Sequence, residues 1–219
     1  MKDKKKKNIR KINKKKLLIC LSIAIVVIFL LCVGIFVIKN IDSNDNNDNV
    51  SNPAEKIDQM ENYEYYLDDN ATEYYKRLYN ELKNILNNEE VNEEEYAKIV
   101  SKLFVTDLFN LDNKLTSSDI GGLQFVYGDF KDDFINIVKN TLYSSVESNI
   151  YGDRDQELPI VSNVEINDIT NSLFTYNNIE YDSYEVILSI EYQKDLGYPT
   201  KYKLVLIKND KYIQVVSGE

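Results

Sequence analysis

Asp107 is the residue whose position offers chemistry most directly. It lies four residues after Leu103 and three after Phe104, inside the apolar stripe of a helix expected to run from Asn92 to Leu111. Desolvation there would raise its carboxyl pKa towards the range useful for acid or base work. The plainer alternative is an Asp at the margin of the stripe, or one that caps a neighbouring helix end. Carboxylate sites of this kind are convincing when a second titratable group shares them, and the chain contains no histidine to play that part. Asp107 therefore stands as an isolated candidate, and no catalytic set, cofactor site or metal site is expected.

The residue types that are missing remove several chemistries. With no His, no Trp and only Cys20 and Cys32, no Ser/His/Asp or Cys/His triad, Cys-and-His zinc site or outer-domain disulfide can be built. Twelve residues apart on one helix, the two cysteines would be about 18 Å distant, far beyond bridging reach. Asp153, Asp155 and Glu157 alternate in a loop and are a second candidate for cation binding, although such acids are usually just solvated. The Asp/Asn run of residues 40–53 has the look of a calcium loop but lacks its turn Gly and closing Glu. Tyrosines at 63, 65, 66, 74, 75 and 79 would suit a carbohydrate or partner surface, but an amphipathic helical pair accounts for most of them.

These residues are positioned by a chain organised around the uncharged stretch Leu17 to Ile38. At about 1.5 Å per residue a helix of this length reaches roughly 33 Å, against a hydrocarbon core of about 30 Å. It has no polar stripe of the kind a buried core helix carries, and it predicts a membrane span. Through Asn40 there are eleven Lys and Arg against one acid, a net +10. The whole chain carries −10, which leaves −20 for the remainder. The basic tail 1–16 orients the span, with the amino terminus cytoplasmic and the acidic portion outside. The far end of the run, Gly34 to Lys39, lacks the small-x-small pattern of a cleavage site, and neither cysteine follows small residues, so the segment reads as an uncleaved signal anchor. The expected location is the cell membrane, single-pass, with the bilayer as partner through Leu17–Ile38. The acidic outer part repels phosphate backbones, so no nucleic-acid partner is expected. Abundant Asn, Lys, Ile and Tyr with little Gly or Pro match the codon bias of a low-GC bacterium.

Beyond the membrane, residues 39–53 read as a flexible acidic, Asn-rich linker and 54–219 as one α+β domain, mainly helical over 54–150 and mainly strands over 158–216. Ile57, Met60, Tyr63 and Leu67 predict a helix from Ala54 to Leu67. Asn70 or Thr72 would cap a second, with the stripe Tyr75, Leu78, Leu82 and Ile85. Asn92 and Glu95 approximate a capping box ahead of the broadest apolar face, Tyr96 to Leu111. Gly121-Gly122 signals either unusual backbone angles or close approach of another chain. Phe130, Phe134, Val138, Leu142 and Val146 then predict one helix from Asp129 to Val146. From Ile160 the period becomes two: Ile160 to Asn167, Tyr184 to Tyr192 and Tyr202 to Leu206, with Asn209-Asp210 joining the last strand pair. These strands are expected to form an antiparallel sheet with one face beneath the helices and the other bearing Glu, Lys and Ser.

That order, ending in Lys-Tyr-Ile-Gln-Val-Val, resembles the curved-sheet cystatin-like cone of nuclear transport factor 2 and the SnoaL-like enzymes, over roughly Ala71 to Val216. The resemblance lies in layout, with no residue motif behind it. Within that superfamily, a short cytoplasmic tail, one span and one outer cone look like the membrane scaffold proteins of type IV secretion and conjugation machines. The role this implies is to hold envelope proteins together. A binding or assembly protein is thus the first expectation, with envelope proteins as partners and association with its own copies compatible. A small-ligand binder or enzyme using the cone interior is the alternative, and an envelope sensor is another. A tail of about sixteen residues is too short for a folded output domain.

Overall fold

A computed structural model describes residues 54–219; the basic tail, the apolar stretch Leu17–Ile38 and the linker lie outside the described residues. Among the described residues no helix is long and apolar enough to cross a membrane. The chain opens with two short antiparallel strands, β1 (Lys56–Gln59) and β2 (Tyr66–Asp68), paired from Lys56 with Asp68 to Gln59 with Tyr66. This corrects the helix expected from Ala54 to Leu67. Glu64 takes φ +58°, which interrupts any helix, and the Met60 N–H bonds the Tyr65 carbonyl at 2.7 Å to close the turn. Ile57, counted in the helical stripe, is 57% exposed. Tyr65 is buried and shares a 2.6 Å hydrogen bond with the Tyr96 hydroxyl, while Tyr79 donates to the Tyr65 carbonyl at 3.0 Å. Contacts distant in sequence thus override the local spacing.

Helix α1 (Glu73–Leu86) starts where Thr72 accepts the Tyr75 N–H, and α2 (Glu93–Phe109) where Asn92 accepts the Glu95 N–H. Both are side-chain caps that satisfy a donor left over in the first turn. Glu95 completes no capping box in the structure; it pairs instead with Lys98. Three acids in the first turn of α2 also complement the positive end of the helix dipole. α1 is one-sided, burying Tyr75, Leu78, Tyr79, Leu82 and Leu86. α2 is buried nearly all round, as a helix must be when it has neighbours on opposite sides. It packs against α1 and against the sheet.

After two single 3₁₀ turns comes α3 (Lys131–Asn140), shorter than the expected Asp129–Val146 helix. Thr141, at φ −122° and ψ −92°, ends it, and Val138 is its one fully buried residue. The chain then turns so that Tyr143, not Leu142, enters the core.

Strands β3 (Val161–Tyr176), β4 (Ile179–Tyr192), β5 (Lys201–Asn209) and β6 (Tyr212–Gly218) form an antiparallel sheet in chain order. The domain is α+β, with the β1–β2 hairpin added ahead of its helices. β3 runs well past the expected Asn167, because Asn177 and Asn178, at φ +52° and +61°, make a tight two-residue turn that lets β4 pair along its whole length. The last turn is shifted by one residue: Asn209 pairs with Tyr212, and the loop is Asp210-Lys211 with Asp210 at φ +56°. Val164, Val186, Leu188, Ile190, Leu204 and Leu206 are buried towards the helices. The opposite face is less polar than expected. Glu185 and Lys203 pair there, but Ser183 and its partner Ile207 are buried, and the Tyr176 and Tyr181 rings at the hairpin end lie against Tyr127.

Candidate functional site

The last turn of α2 carries Thr106, Asp107 and Asn110 to a small cleft of about 110 Å³, closed by β2, the start of α1 and the 113–124 segment. Asp107 is where chain segments are joined. One of its carboxylate oxygens lies 2.6 Å from the Lys114 ammonium, and the other accepts the Gly122 N–H at 2.6 Å. The Lys114 side chain is 8% exposed and that of Asp107 24%. Burial works against the lysine's charge, but the facing Asp107 carboxylate, the Tyr143 phenol and Asp119 together outweigh it and hold the ammonium above its ordinary pKa. The geometry gives it the work of an ion pair and of a cap over the turn at Gly122.

The adjacent glycines satisfy both of their expected roles, with another segment of the same chain as the close neighbour. A Cβ on Gly121 would sit 2.1 Å from the Asp107 carbonyl oxygen. Gly122 has φ +79°, and a Cβ there would also meet the Phe104 ring at 2.8 Å. This close approach lets the Tyr143 hydroxyl bridge two elements, accepting the Gly121 N–H at 3.1 Å and donating to the Leu108 carbonyl at 2.9 Å. Burial raises the Tyr143 phenol well above its ordinary value, with the Lys114 charge opposing.

Gln124 and Asn113 hold the rest of the rim. The Gln124 amide accepts the Tyr66 N–H at 3.0 Å and donates to the Tyr75 hydroxyl at 3.0 Å. Asn70 and Asn113 each donate to the other's backbone carbonyl at 3.2 Å. Two residues beside the cleft carry side-chain oxygens, Thr106 Oγ1 and Asn113 Oδ1, that are buried without a hydrogen-bond partner. Asp68, also on the lining, has its carboxyl pushed up by burial and by the Asp107 charge, with Lys114 and Lys56 opposing.

A second concavity, about 250 Å³, lies between α3 and β6 and is lined by Phe104, Phe130, Phe134, Val138, Tyr202 and Val215. Ile137 on its rim is 63% exposed.

Asp153, Asp155 and Glu157 are not drawn into a site. Glu157 pairs with Lys194, and among the described residues no three His, Cys, Asp or Glu side chains are placed to hold a metal ion. The tyrosines considered for a surface are mostly structural: Tyr65, Tyr75 and Tyr79 are buried, and Tyr63 stacks among Tyr65, Tyr96 and Tyr212. Sequence reasoning missed Lys114, Tyr143, Gln124 and Thr106. For Lys114 a signal existed, since it is a cation between Leu111 and Leu115 in an acidic domain. For Tyr143 the four-residue spacing pointed one position away. Comparison with protein-family models, with curated proteins and with solved structures found no match to this chain.

Proposed function

We propose that this chain is a single-pass membrane protein whose outer domain binds and assembles other proteins of the cell envelope. The observation that carries the reading is the open apolar groove between α3 and β6, beside an interior that is already filled. Phe104, Leu108, Val186, Leu188 and Leu204 close the space between α2 and the sheet, so a partner would be met at the surface. Phe130, Phe134 and Ile137 offer an apolar strip there. Asp133 is exposed on its lining, which favours a partner segment of apolar side chains with a basic one beside them. Helices ahead of a four-stranded antiparallel meander support the resemblance to a cystatin-like cone, and with it the scaffold role. The uncharged stretch Leu17–Ile38 supports the membrane anchorage.

The test is in-cell cross-linking of the full-length protein through a photoreactive residue at position 137, followed by mass spectrometry. Recovery of other envelope proteins, lost on Phe134→Asp, is the expected result. Recovery of the protein alone or with its own copies would overturn the scaffold reading.

A further inference from the structure

The β3–β4 hairpin outruns the rest of its sheet. β5 pairs β4 only from Ser183 to Ser189, so the arm from Leu173 to Asp182 is two strands wide. Such a hairpin is marginal without further support. One face has it, where the Tyr176 and Tyr181 rings lie against Tyr127 and Tyr176 also meets Phe130. On the other face Leu173 is 61% exposed. The outer edge of β3 is open as well. In the turn at Asn177-Asn178 the Ile179 N–H faces the Tyr176 carbonyl. Counting along the antiparallel ladder from that pair turns the N–H and C=O of Ile169, Asn171, Leu173 and Thr175 away from β4. The same count turns the Val164 N–H outward, and it is there that Tyr74 accepts it. The outward groups of Ile169, Asn171, Leu173 and Thr175 have no hydrogen-bond partner among the described residues.

Sheet edges are ordinarily blunted by charge, by proline or by a bulge. The first half of β3 carries such devices: Tyr74 over Val164, the irregularity between Ile166 and Asp168, and the acids Glu165 and Asp168. Residues 169–176, ITNSLFTY, carry none. This stretch fits a copy of itself. When two such strands run antiparallel about a two-fold axis at Ser172, Ile169 faces Thr175 of the second copy and Asn171 faces its Leu173. Both are doubly hydrogen-bonded pairs that use the outward groups of each strand. Ser172 faces its own counterpart. Asp168 falls opposite Tyr176, so no acid opposes an acid. Leu173 lies diagonal to Leu173 of the second copy, within reach across the strands, and loses its exposure there. A basic or acidic segment of another protein finds no charge to pair with on residues 169–176, which favours the second copy.

We propose that β3 pairs through residues 169–176 with β3 of a second copy of this chain, joining two four-stranded sheets into one across a two-fold axis at Ser172. The pairing uses the edge of β3 and not the α3–β6 groove, so either can fail alone.

The test is oxidative cross-linking of the full-length protein carrying Cys20→Ala, Cys32→Ala and one new cysteine on β3. A non-hydrogen-bonded antiparallel pair brings its Cα atoms to about 4.5 Å, inside the range of a disulfide, so Ser172→Cys is expected to give a disulfide-linked dimer. Thr170→Cys stands away from the axis, about 14 Å from its counterpart, and is expected to give none. Adding Leu173→Lys to Ser172→Cys sets two like charges beside the axis at a site that is exposed in the single chain. The circular dichroism spectrum should therefore persist while the dimer is lost. In cells, a photoreactive residue at position 172 is expected to capture a second copy. Absence of the Ser172→Cys dimer, equal cross-linking through Thr170→Cys, a dimer indifferent to Leu173→Lys, or capture of a different protein in place of a second copy would overturn the proposal.

Discussion

The Lys114 ammonium lies 2.6 Å from the Asp107 carboxylate, joining the last turn of α2 to the loop that follows it, with the lysine almost wholly buried. Removing one partner leaves the other charge uncompensated, whereas replacing both by neutral groups of similar shape does not. Lys114→Met is expected to destabilise the domain by about 2–4 kcal/mol, and Lys114→Met with Asp107→Asn by clearly less. Urea denaturation of the two single variants and the double variant measures this. Destabilisation of the double variant equal to the sum of the two single variants would show that the pair is not coupled.

Gly121 marks the closest approach of the 121–122 segment to α2. Because a Cβ would lie 2.1 Å from a backbone oxygen, Gly121→Ala must push the segment away and break the Tyr143 and Asp107 hydrogen bonds with it. A loss of about 3 kcal/mol or more is expected. Gly128→Ala, where nothing lies within 4 Å, should change stability by no more than about 0.5 kcal/mol. Thermal unfolding of the two variants side by side reads the contrast.

The buried phenols of Tyr65, Tyr75 and Tyr143 all have their pKa raised, chiefly by burial. A group with its folded pKa above its unfolded value contributes stability that is fully present below the unfolded pKa, about 10 for tyrosine, and is lost as pH rises through the folded value. The denaturant midpoint is therefore expected to fall steadily above about pH 10. Phenolate absorbance of the folded protein should meanwhile titrate in part only until unfolding releases the buried rings. Tyr143→Phe, which strands the Leu108 carbonyl and the Gly121 N–H, should cost about 1–3 kcal/mol at neutral pH.

Tyr74 protects the outer edge of the sheet. Its hydroxyl accepts the Val164 N–H at 2.7 Å and lies 3.3 Å from the Val164 carbonyl, so it occupies backbone groups that would otherwise be open to another strand. Tyr74→Phe should cost about 1 kcal/mol and raise self-association of the protein. Light scattering at increasing protein concentration checks the second effect. Unchanged scattering would mean that the edge is guarded elsewhere.

Much of this architecture was legible from neighbours a few residues apart. Thr72 and Asn92 announce the starts of α1 and α2, the apolar run from Tyr96 marks the central helix, and Tyr184 to Tyr192 alternates as a strand buried on one face must. These features follow from local rules, in which a cap needs one side chain near three N–H groups and a buried face repeats with the backbone period. Asp107 was legible as an acid inside an apolar stripe, but not its engagement by Lys114 and Gly122.

Elsewhere the tertiary structure decided. Residues 54–67 have helical spacing, yet they pair as strands because Tyr65 bonds Tyr96 in α2 and Glu64 turns through positive φ. β3 extends to Tyr176 through a polar stretch because β4 supplies its ladder, and a backbone hydrogen bond carries no side-chain signature. The space beside Asp107 exists because Gly121 lets a loop touch α2 while Asn70 and Asn113 pair across it, an arrangement between residues 43 positions apart. Spacing along a chain specifies which faces are apolar. Which groups end up unpartnered is settled only when distant segments have packed.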